Sequence, residues 1–292
     1  MNRMWKEHAV KYALMGAASV SIVIVALIFL FLGKEAAPFA SDPGLSKLAD
    51  PRWLPVSGIE GNERYGLLPL IAGSVLVTLL ATAIAIPFGV LGAVYISEVA
   101  QPREREILKP FVEVLAGIPS VVLGFFGLMV VVPAVQKVFG LSSGLTALSG
   151  AIMLAFMAVP TIISVSEDAI RSVPRSYRTA ALALGASRLE TVWKVTIPAA
   201  LSGITAAVML GMGRVVGETM AVMMLTGNSP LTTANPFSSV CTMTATIAGE
   251  MGEVAFGSVH YAALFCIGIA LLLMTFGLNV VARRVLRKHR MA

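Results

Sequence analysis

The clearest chemical signal in this sequence is a pair of opposite charges within an apolar segment. Arg214 and Glu218 interrupt a run that is otherwise uncharged, Gly211-Met212-Gly213-Arg214-Val215-Val216-Gly217-Glu218-Thr219. A charge at the centre of a bilayer costs roughly 2.5 to 3.5 kcal/mol on insertion scales, so such residues pair with each other or face a polar cavity. On a helix, a spacing of four places both side chains on one face. The sequence therefore predicts an ion pair between them.

Two interpretations of this pair remain open from the residues alone. In the first, Arg214 lies on a translocation route and offers its planar donor fork to an oxyanion. Glu218 then holds the guanidinium and partly neutralises it. In the second, the pair only fixes helix packing, helped by Gly213 and Gly217, whose spacing lets another helix approach closely. The first interpretation is favoured.

Other chemistry has little support. The two cysteines, Cys241 and Cys266, and the three histidines, His8, His260 and His289, are scattered and match no metal or redox spacing. An intramembrane enzyme using Glu218 needs a second catalytic group at membrane depth. His260 stands alone near one end of a predicted span, and no aspartate lies within any predicted span. The sequence predicts no catalytic residue, no metal and no cofactor bound by this chain.

The elements that must position Arg214 and Glu218 are membrane helices. Of the 292 residues, 57% are apolar and only 13% are charged, whereas soluble domains carry about 25% charged residues. A bilayer core needs roughly 20 apolar residues as helix. The sequence predicts an all-α membrane protein of six transmembrane helices in one domain, residues 1–292. The predicted bounds are about 12–33, 70–97, 112–133, 147–166, 195–225 and 259–282, with loops at 34–66, 167–194 and 226–258.

The distribution of basic residues predicts the orientation. Sixteen of the 22 Lys and Arg residues lie before the first span, between spans two and three, between four and five, or after the sixth. The opposite loops hold five. The positive-inside rule then places both termini in the cytoplasm and the chain in the cytoplasmic (inner) membrane, as a multi-pass protein. The first span is longer than a signal-peptide core and predicts an uncleaved anchor. The loop 34–66, rich in proline and glycine, is expected to be mostly irregular.

The loop 167–194 has the pattern of two short helices joined by a glycine. Ser172 and Pro174 predict a helix start, the following Ala/Leu run favours helix, and Gly185 predicts its end. Ser187 and Glu190 match a capping box, which starts a second helix. By pattern alone, the segment could lie on the inner leaflet or protrude as a knob that fits another protein.

This loop resembles the signature of ABC importer permeases, which is Glu-Ala-Ala, three residues, Gly, nine residues and then Ile-x-Leu-Pro. Thr179-Ala180-Ala181 occupies the triplet, Gly185 has the matching spacing, and Val195-Thr196-Ile197-Pro198 ends the motif. Thr179 departs from the family's glutamate. The resemblance implies that the loop docks on an ATPase subunit and transmits its motion, which makes 167–194 a coupling loop.

A second resemblance is more specific. The segment from Gly213 to Val222 is similar to the fifth-span motif of phosphate importer permeases of the PstC type. Tyr65-Gly66-Leu67-Leu68-Pro69-Leu70 and Gly117-Ile118-Pro119-Ser120-Val121-Val122-Leu123-Gly124 also resemble that family. The similarity extends over nearly the whole chain. It implies the type I ABC importer permease fold and carries a role in phosphate passage to Arg214 and Glu218.

The same resemblance implies the partners. They are a homologous second permease, two ATP-binding subunits that use the ATP, and an extracytoplasmic phosphate-binding protein. This chain has no Gly-x-x-x-x-Gly-Lys-Ser/Thr loop of its own. The alternatives are a permease for another oxyanion such as sulfate or molybdate, and a passive channel, which gives no reason for the coupling loop.

Overall fold

The protein is a bundle of membrane-length helices. In the computed structural model, the structure describes residues 2–57 and 62–290, without the side chains of 2–7, 9, 281–283 and 285–290. Six helical segments of the described part are long and apolar enough to cross a membrane: Val10–Ala49, Leu68–Val99, Ser120–Phe139, Ala147–Arg171, Arg188–Gly217 and Val259–Val280. The predicted all-α fold with six spans is confirmed. The basic side chains of Arg3, Lys6, Arg283, Arg287, Lys288 and Arg290 lie outside the described ones.

The described part of the chain consists mainly of helices, with two short strands. The helices are α1 Asn2–Phe39, α2 Leu68–Val94, α3 Pro102–Ala116, α4 Ser120–Phe126, α5 Val132–Phe139, α6 Ala147–Arg171, α7 Arg175–Ala183, α8 Arg188–Thr191, α9 Ile197–Gly217, α10 Met220–Leu225, α11 Met243–Glu250 and α12 Val259–Arg290. Wide helical turns at Tyr95–Val99, Gly127–Val131 and Val192–Thr196 extend α2, join α4 to α5 and join α8 to α9. The strands β1 Trp53–Leu54 and β2 Arg64–Tyr65 form one antiparallel hairpin.

The core is α6 packed between α2 and α9, and glycines allow the close approach. An ideal Cβ on Gly89 of α2 would lie 2.5 Å from Ile162 Cγ2 of α6. One on Gly203 of α9 would lie 2.3 Å from Ala169 Cβ of α6. Small residues at helix crossings let the backbones approach closely, and the resulting van der Waals packing is one of the forces that hold helices together in lipid. These three helices therefore form the centre of the bundle, and the other segments pack around them.

The third and fifth spans have bounds that are shifted from the predicted ones by breaks in their helices. The third begins at Ser120 rather than near residue 112, because Gly117 and Pro119 break the helix after α3. The fifth is continuous from Arg188 but ends at Gly217, and α10 follows after a break. Pro198 lies at the start of α9, where proline causes no break. Both breaks bear on the candidate site.

The described residues of the loop 34–66, which are 34–57 and 62–66, are more ordered than expected. α1 continues to Phe39, a turn of 3-10 helix covers Leu45–Ala49, and the hairpin follows. Phe39, Trp53 and Tyr65 are almost fully buried and meet edge to face, with ring centroids 5.4 and 6.2 Å apart. These aromatic side chains fold the loop against the first turns of α12. The end of the bundle that carries β1 and β2 is called the hairpin end below.

The hairpin end also contains a small polar cluster. Glu250, the last residue of α11, accepts a hydrogen bond from Trp53 Nε1 at 3.0 Å and lies 2.7 Å from His260 Nε2. α11 is a short helix within the predicted loop 226–258. The cluster joins the hairpin, α11 and α12, so it fixes the cover of this end of the bundle.

Candidate functional site

The fifth span is interrupted at Glu218. α9 ends at Gly217, Glu218 has an extended backbone with ψ 133°, and α10 begins at Met220. Thr244 Oγ1 of the following segment donates a hydrogen bond to the Glu218 carbonyl at 2.9 Å. In a membrane protein, non-helical backbone of this kind occurs where protein surrounds it or where it lines a polar cavity. The break therefore marks a candidate site.

The break lies near the middle of the bundle along its axis. Gly211 of α9 packs on Ile162 and Ala158, which stand near the midpoint of α6. Thr226, just after α10, packs on Gly150 near the start of α6. The interrupted segment therefore passes the half of α6 that leads to the hairpin end. Arg214, three residues after Gly211, stands close to the level of the α6 midpoint.

Arg214 connects two broken helices. Its Nη2 donates a hydrogen bond to the carbonyl of Ala116 at 3.3 Å. Ala116 is the last residue of α3, directly before the break at Gly117 and Pro119. The C-terminal ends of helices carry partial negative charge, so the ends of α3 and α9 both favour the guanidinium at this place. In transporters, such discontinuous helices form substrate sites near the bilayer midplane.

The predicted ion pair between Arg214 and Glu218 is wrong for this structure. Among the described residues, no carboxylate oxygen lies within ion-pair distance of Arg214. The prediction assumed an unbroken helix, but α9 ends one residue before Glu218, whose backbone is extended, so the two residues no longer have the spacing of one continuous helix. Within the described part of the chain, only one nitrogen of the Arg214 guanidinium, Nη2, donates a hydrogen bond. The remaining donors are available to an oxyanion.

The surroundings of Arg214 are packed on one side and open on the other. Gly124 of α4 would place a Cβ only 3.1 Å from the Ala221 Cα of α10, so these two short helices touch closely. A Cβ on Gly213 or Gly217 would meet nothing within 4 Å. The predicted close helix contact at Gly213 and Gly217 is thus not made within this chain, and this face of α9 is uncovered.

The structure has the predicted helix-glycine-helix form in the loop after α6. α7 covers Arg175–Ala183 and contains Thr179, Ala180 and Ala181. Gly185 has a φ of +88°, and the amides of Gly185 and Ala186 bond the carbonyls of Leu182 and Ala181, a Schellman ending. The capping box of Ser187 and Glu190 is formed and starts α8. Thr179 and Ala180 are exposed, Ala181 is buried, and Pro198 lies at the start of α9.

Arg178 fixes α7 to the end of the second span. Its Nε donates to Glu98 Oε1 at 3.2 Å, and its Nη1 and Nη2 donate to the carbonyls of Val173 and Ile170 at 2.9 and 3.0 Å. The side chains of Arg178 and Glu98 are only 21% and 10% exposed. A forked guanidinium–carboxylate pair of this kind holds geometry as well as charge. These contacts hold α7 directly to the end of the second span.

Sequence reasoning missed Glu167, a buried carboxylate at the end of α6. Its side chain is 1% exposed and forms ion pairs with Arg105, with Lys109 at 2.8 Å and with Arg171 at 3.6 Å. The hydrogen bond to Glu167 raises the pKa of Lys109, although burial opposes it. The uncharged run ends at Ser166, so Glu167 read as the first residue of a solvated loop. The signal that could have revealed this carboxylate is the spacing of Arg105 and Lys109. They lie four residues apart and therefore on one face of the amphipathic helix α3. The end of the bundle with Glu98, Arg105, Glu167 and Arg178 is called the basic end.

The chain matches a family of membrane transport components. Residues 85–290 match the family described as binding-protein-dependent transport system inner membrane component. The chain is 38% identical to the probable ABC transporter permease protein YqgH of Bacillus subtilis, over 94% of this chain and 89% of that protein. It is 32% identical to the phosphate transport system permease protein PstC of Mesorhizobium japonicum, over 99% of this chain and 92% of that protein.

Solved structures agree on the fold. An ABC transporter that imports the acidic polysaccharide alginate superposes with a TM-score of 0.62, at 18% identity, covering 97% of this chain and 99% of that chain. The MetNI methionine ABC transporter in an inward-facing conformation gives a TM-score of 0.55, at 20% identity, covering 77% and 94%. The predicted ABC importer permease fold is confirmed. The relatives are permeases, which agrees with the prediction of a transport subunit rather than an enzyme.

Proposed function

Because the chain belongs to the family of inner membrane components of binding-protein-dependent transport systems, we propose that it is a permease subunit of an ATP-driven importer of inorganic phosphate, forming half of the translocation pathway. One observation carries the proposal, namely that Arg214 stands at mid-depth between two broken helices and that no described carboxylate pairs with it. The substrate class is supported by the relatives that are named phosphate transport system permeases.

Arg214 makes the passage tolerable to a phosphate anion. A guanidinium has five N–H donors in a planar fork that fits tetrahedral oxyanions, and it stays charged at every physiological pH. The carbonyl of Ala116 holds it in place without neutralising it. Glu218 stands beyond the helix end, where its negative charge lowers the net charge of the passage and prevents permanent trapping of the anion. Both residues are assigned to the substrate pathway.

The other half of the pathway comes from a partner. The open face at Gly213 and Gly217 is adjacent in sequence to Arg214 and uncovered in this chain. A homologous second permease that packs there would enclose Arg214 between the two subunits. Two ATP-binding subunits would dock on the coupling loop 167–194 and supply the ATP hydrolysis. An extracytoplasmic binding protein would deliver the phosphate, and this chain would bind no cofactor.

The orientation follows from the charge distribution. At the basic end, away from the hairpin, Glu98 pairs with Arg178 and Glu167 pairs with Arg105. The basic end carries the loops that hold most of the Lys and Arg residues, so the positive-inside rule places it and both termini in the cytoplasm. Phosphate would then enter at the hairpin end and leave at the basic end.

Radiolabelled phosphate uptake by the whole complex in vesicles tests the proposal. Uptake is measured in the presence of ATP, with and without an excess of sulfate. Three chains are compared: the native one, Arg214→Gln, and the matched control Arg103→Gln, which removes an exposed charge on α3. We expect ATP-dependent uptake that ignores sulfate, and a loss of at least about a hundredfold in Arg214→Gln, since the charge that stabilises the anion is absent. The complex should still assemble, because the coupling loop is untouched.

Each alternative has its own outcome. Full competition by sulfate, or no phosphate uptake, would contradict the assignment of phosphate as the substrate. Normal uptake by Arg214→Gln would make Arg214 a packing residue and place the pathway elsewhere. Equal losses in Arg214→Gln and Arg103→Gln would indicate a general effect of removing positive charge.

A further inference from the structure

A second set of arginines surrounds a cavity at the basic end, away from Arg214. The cavity has a volume of about 430 Å³ and is open to one side. Its lining includes four arginines from three different segments, Arg105 of α3, Arg171 of α6, and Arg175 and Arg178 of α7, together with Glu98 and Thr179. The role proposed above for Arg214 does not involve this cavity.

The charges around the cavity do not balance. Glu98 pairs with Arg178, and Glu167 pairs with Arg105 and Arg171. Arg175 has no carboxylate within ion-pair distance in the described part of the chain. Counting the adjacent Lys109 and Asp168 as well, five cations face three carboxylates. Arg175 is also the first residue of α7, which begins without a side-chain cap, so the positive end of that helix lies at the rim.

Thr179 leaves the excess of positive charge in place. It lines the cavity and is exposed, and its hydroxyl group is bonded to the carbonyls of Arg175 and Ser176. A carboxylate at this position would stand among the arginines and offset them. With threonine, the cavity has converging guanidinium donors and a free positive charge, which is the arrangement that binds phosphate groups.

We propose that this cavity binds a phosphate-type oxyanion on the cytoplasmic side, and that its occupancy slows the importer by tying α7 to the ends of α2 and α6. The oxyanion has two possible sources with the same chemistry, free inorganic phosphate and the phosphate of a lipid headgroup. An anion bridging Arg175 to Arg171 and Arg105 adds a contact between α7 and its neighbours that must break when α7 moves. The regulatory part rests on the proposed function, in which α7 transmits the motion of the ATPase.

The test uses the whole complex in vesicles with the ATP-binding side facing outward. ATP hydrolysis is followed by ADP release while inorganic phosphate outside is raised at constant ionic strength. We expect the native rate to fall with phosphate, and Arg175→Gln to need roughly tenfold more phosphate for the same inhibition, as one charge-assisted contact is lost. Thr179→Glu should be insensitive because its carboxylate occupies the cavity. Arg103→Gln, which removes an exposed charge outside the cavity, should respond as the native chain does.

A second arm identifies the source of the phosphate group. The same variants are compared in vesicles of phosphatidylcholine alone and with added phosphatidylglycerol, without external phosphate. A native rate that depends on phosphatidylglycerol, with the dependence absent in Arg175→Gln and Thr179→Glu, assigns the cavity to lipid. A response to inorganic phosphate alone assigns it to the free anion.

Two outcomes overturn the proposal. The first is identical curves for the native chain, Arg175→Gln and Thr179→Glu in both arms, which would place any inhibition in the ATPase subunits. The second is loss of the ATPase subunits from Arg175→Gln, which would show that the cavity receives a protein side chain. Failure of the proposed function is seen separately, as absence of phosphate uptake, because the basal ATP hydrolysis rate still reports the response to anions.

Discussion

The two charged regions of this membrane protein are built in opposite ways. At the basic end, Glu98 and Glu167 are almost fully buried and each is in contact with guanidinium groups on neighbouring segments. At mid-depth, Arg214 has only a backbone carbonyl as partner among the residues that the structure describes. Removing one member of a buried pair leaves an uncompensated charge, whereas an unpaired charge held by a carbonyl stays available to a ligand. The comparison therefore separates charges that hold the structure from a charge that we propose serves transport.

The largest effect on stability is expected at Glu167. In Glu167→Gln, Arg105 and Lys109 keep their positions but lose the buried carboxylate between α3 and α6. Breaking a buried ion pair by removing one partner costs about 3–5 kcal/mol. We expect a marked fall in the thermal midpoint of the purified complex and in its yield. Phosphate uptake per assembled complex should fall far less than in Arg214→Gln.

The neighbouring residue provides a matched control for that prediction. Asp168 also bonds Lys109, at 3.1 Å, but its side chain is 65% exposed. Exposed pairs contribute about 0–1 kcal/mol, so Asp168→Asn makes the same chemical change at little cost. Equal thermal midpoints for Glu167→Gln and Asp168→Asn would contradict the structural role assigned to Glu167.

A smaller effect is expected for the pair between Glu98 and Arg178. In Glu98→Gln, Arg178 keeps its hydrogen bonds to the carbonyls of Ile170 and Val173, so the charge is not left without partners. A double-mutant cycle of Glu98→Gln and Arg178→Gln should give a coupling of about 1–3 kcal/mol in complex stability. The ATP hydrolysis stimulated by the binding protein should fall together with stability, because the pair joins α7 to the second span. Additive single changes would show that this link is not used.

The fold could largely be predicted from the sequence, since long uncharged runs in a chain of this length admit few alternatives to six membrane helices. The coupling loop was also predicted in detail, because Gly185, Ser187 and Glu190 act locally and need no tertiary partner. Local rules of this kind hold wherever the neighbours of a residue in sequence are also its partners.

The missed features depend on tertiary contacts. The break at Glu218 is supported by Thr244, which is 26 residues away in sequence, and Arg214 is held by Ala116, which is 98 residues away. A helical spacing of four predicts pairing only if the helix continues, and nothing between Gly213 and Thr219 says where it ends. Glu167 illustrates the same point, since its burial is created by α3 crossing the end of α6.

The smallest effect is expected at Gly185, where the two short helices of the coupling loop meet. Its φ of +88° is unfavourable for any residue with a Cβ, although a Cβ would meet nothing within 4 Å. Gly185→Ala should therefore cost about 1–2 kcal/mol through backbone strain alone. The control is Gly16→Ala in helix α1, where a Cβ also meets no neighbour. It makes the same type of substitution without backbone strain. The measurement is the temperature at which half of the ATP hydrolysis activity is lost on heating. A lower temperature for Gly185→Ala only would confirm the strained turn. Equal temperatures for both variants would show that the loop relaxes when the ATPase subunits are bound.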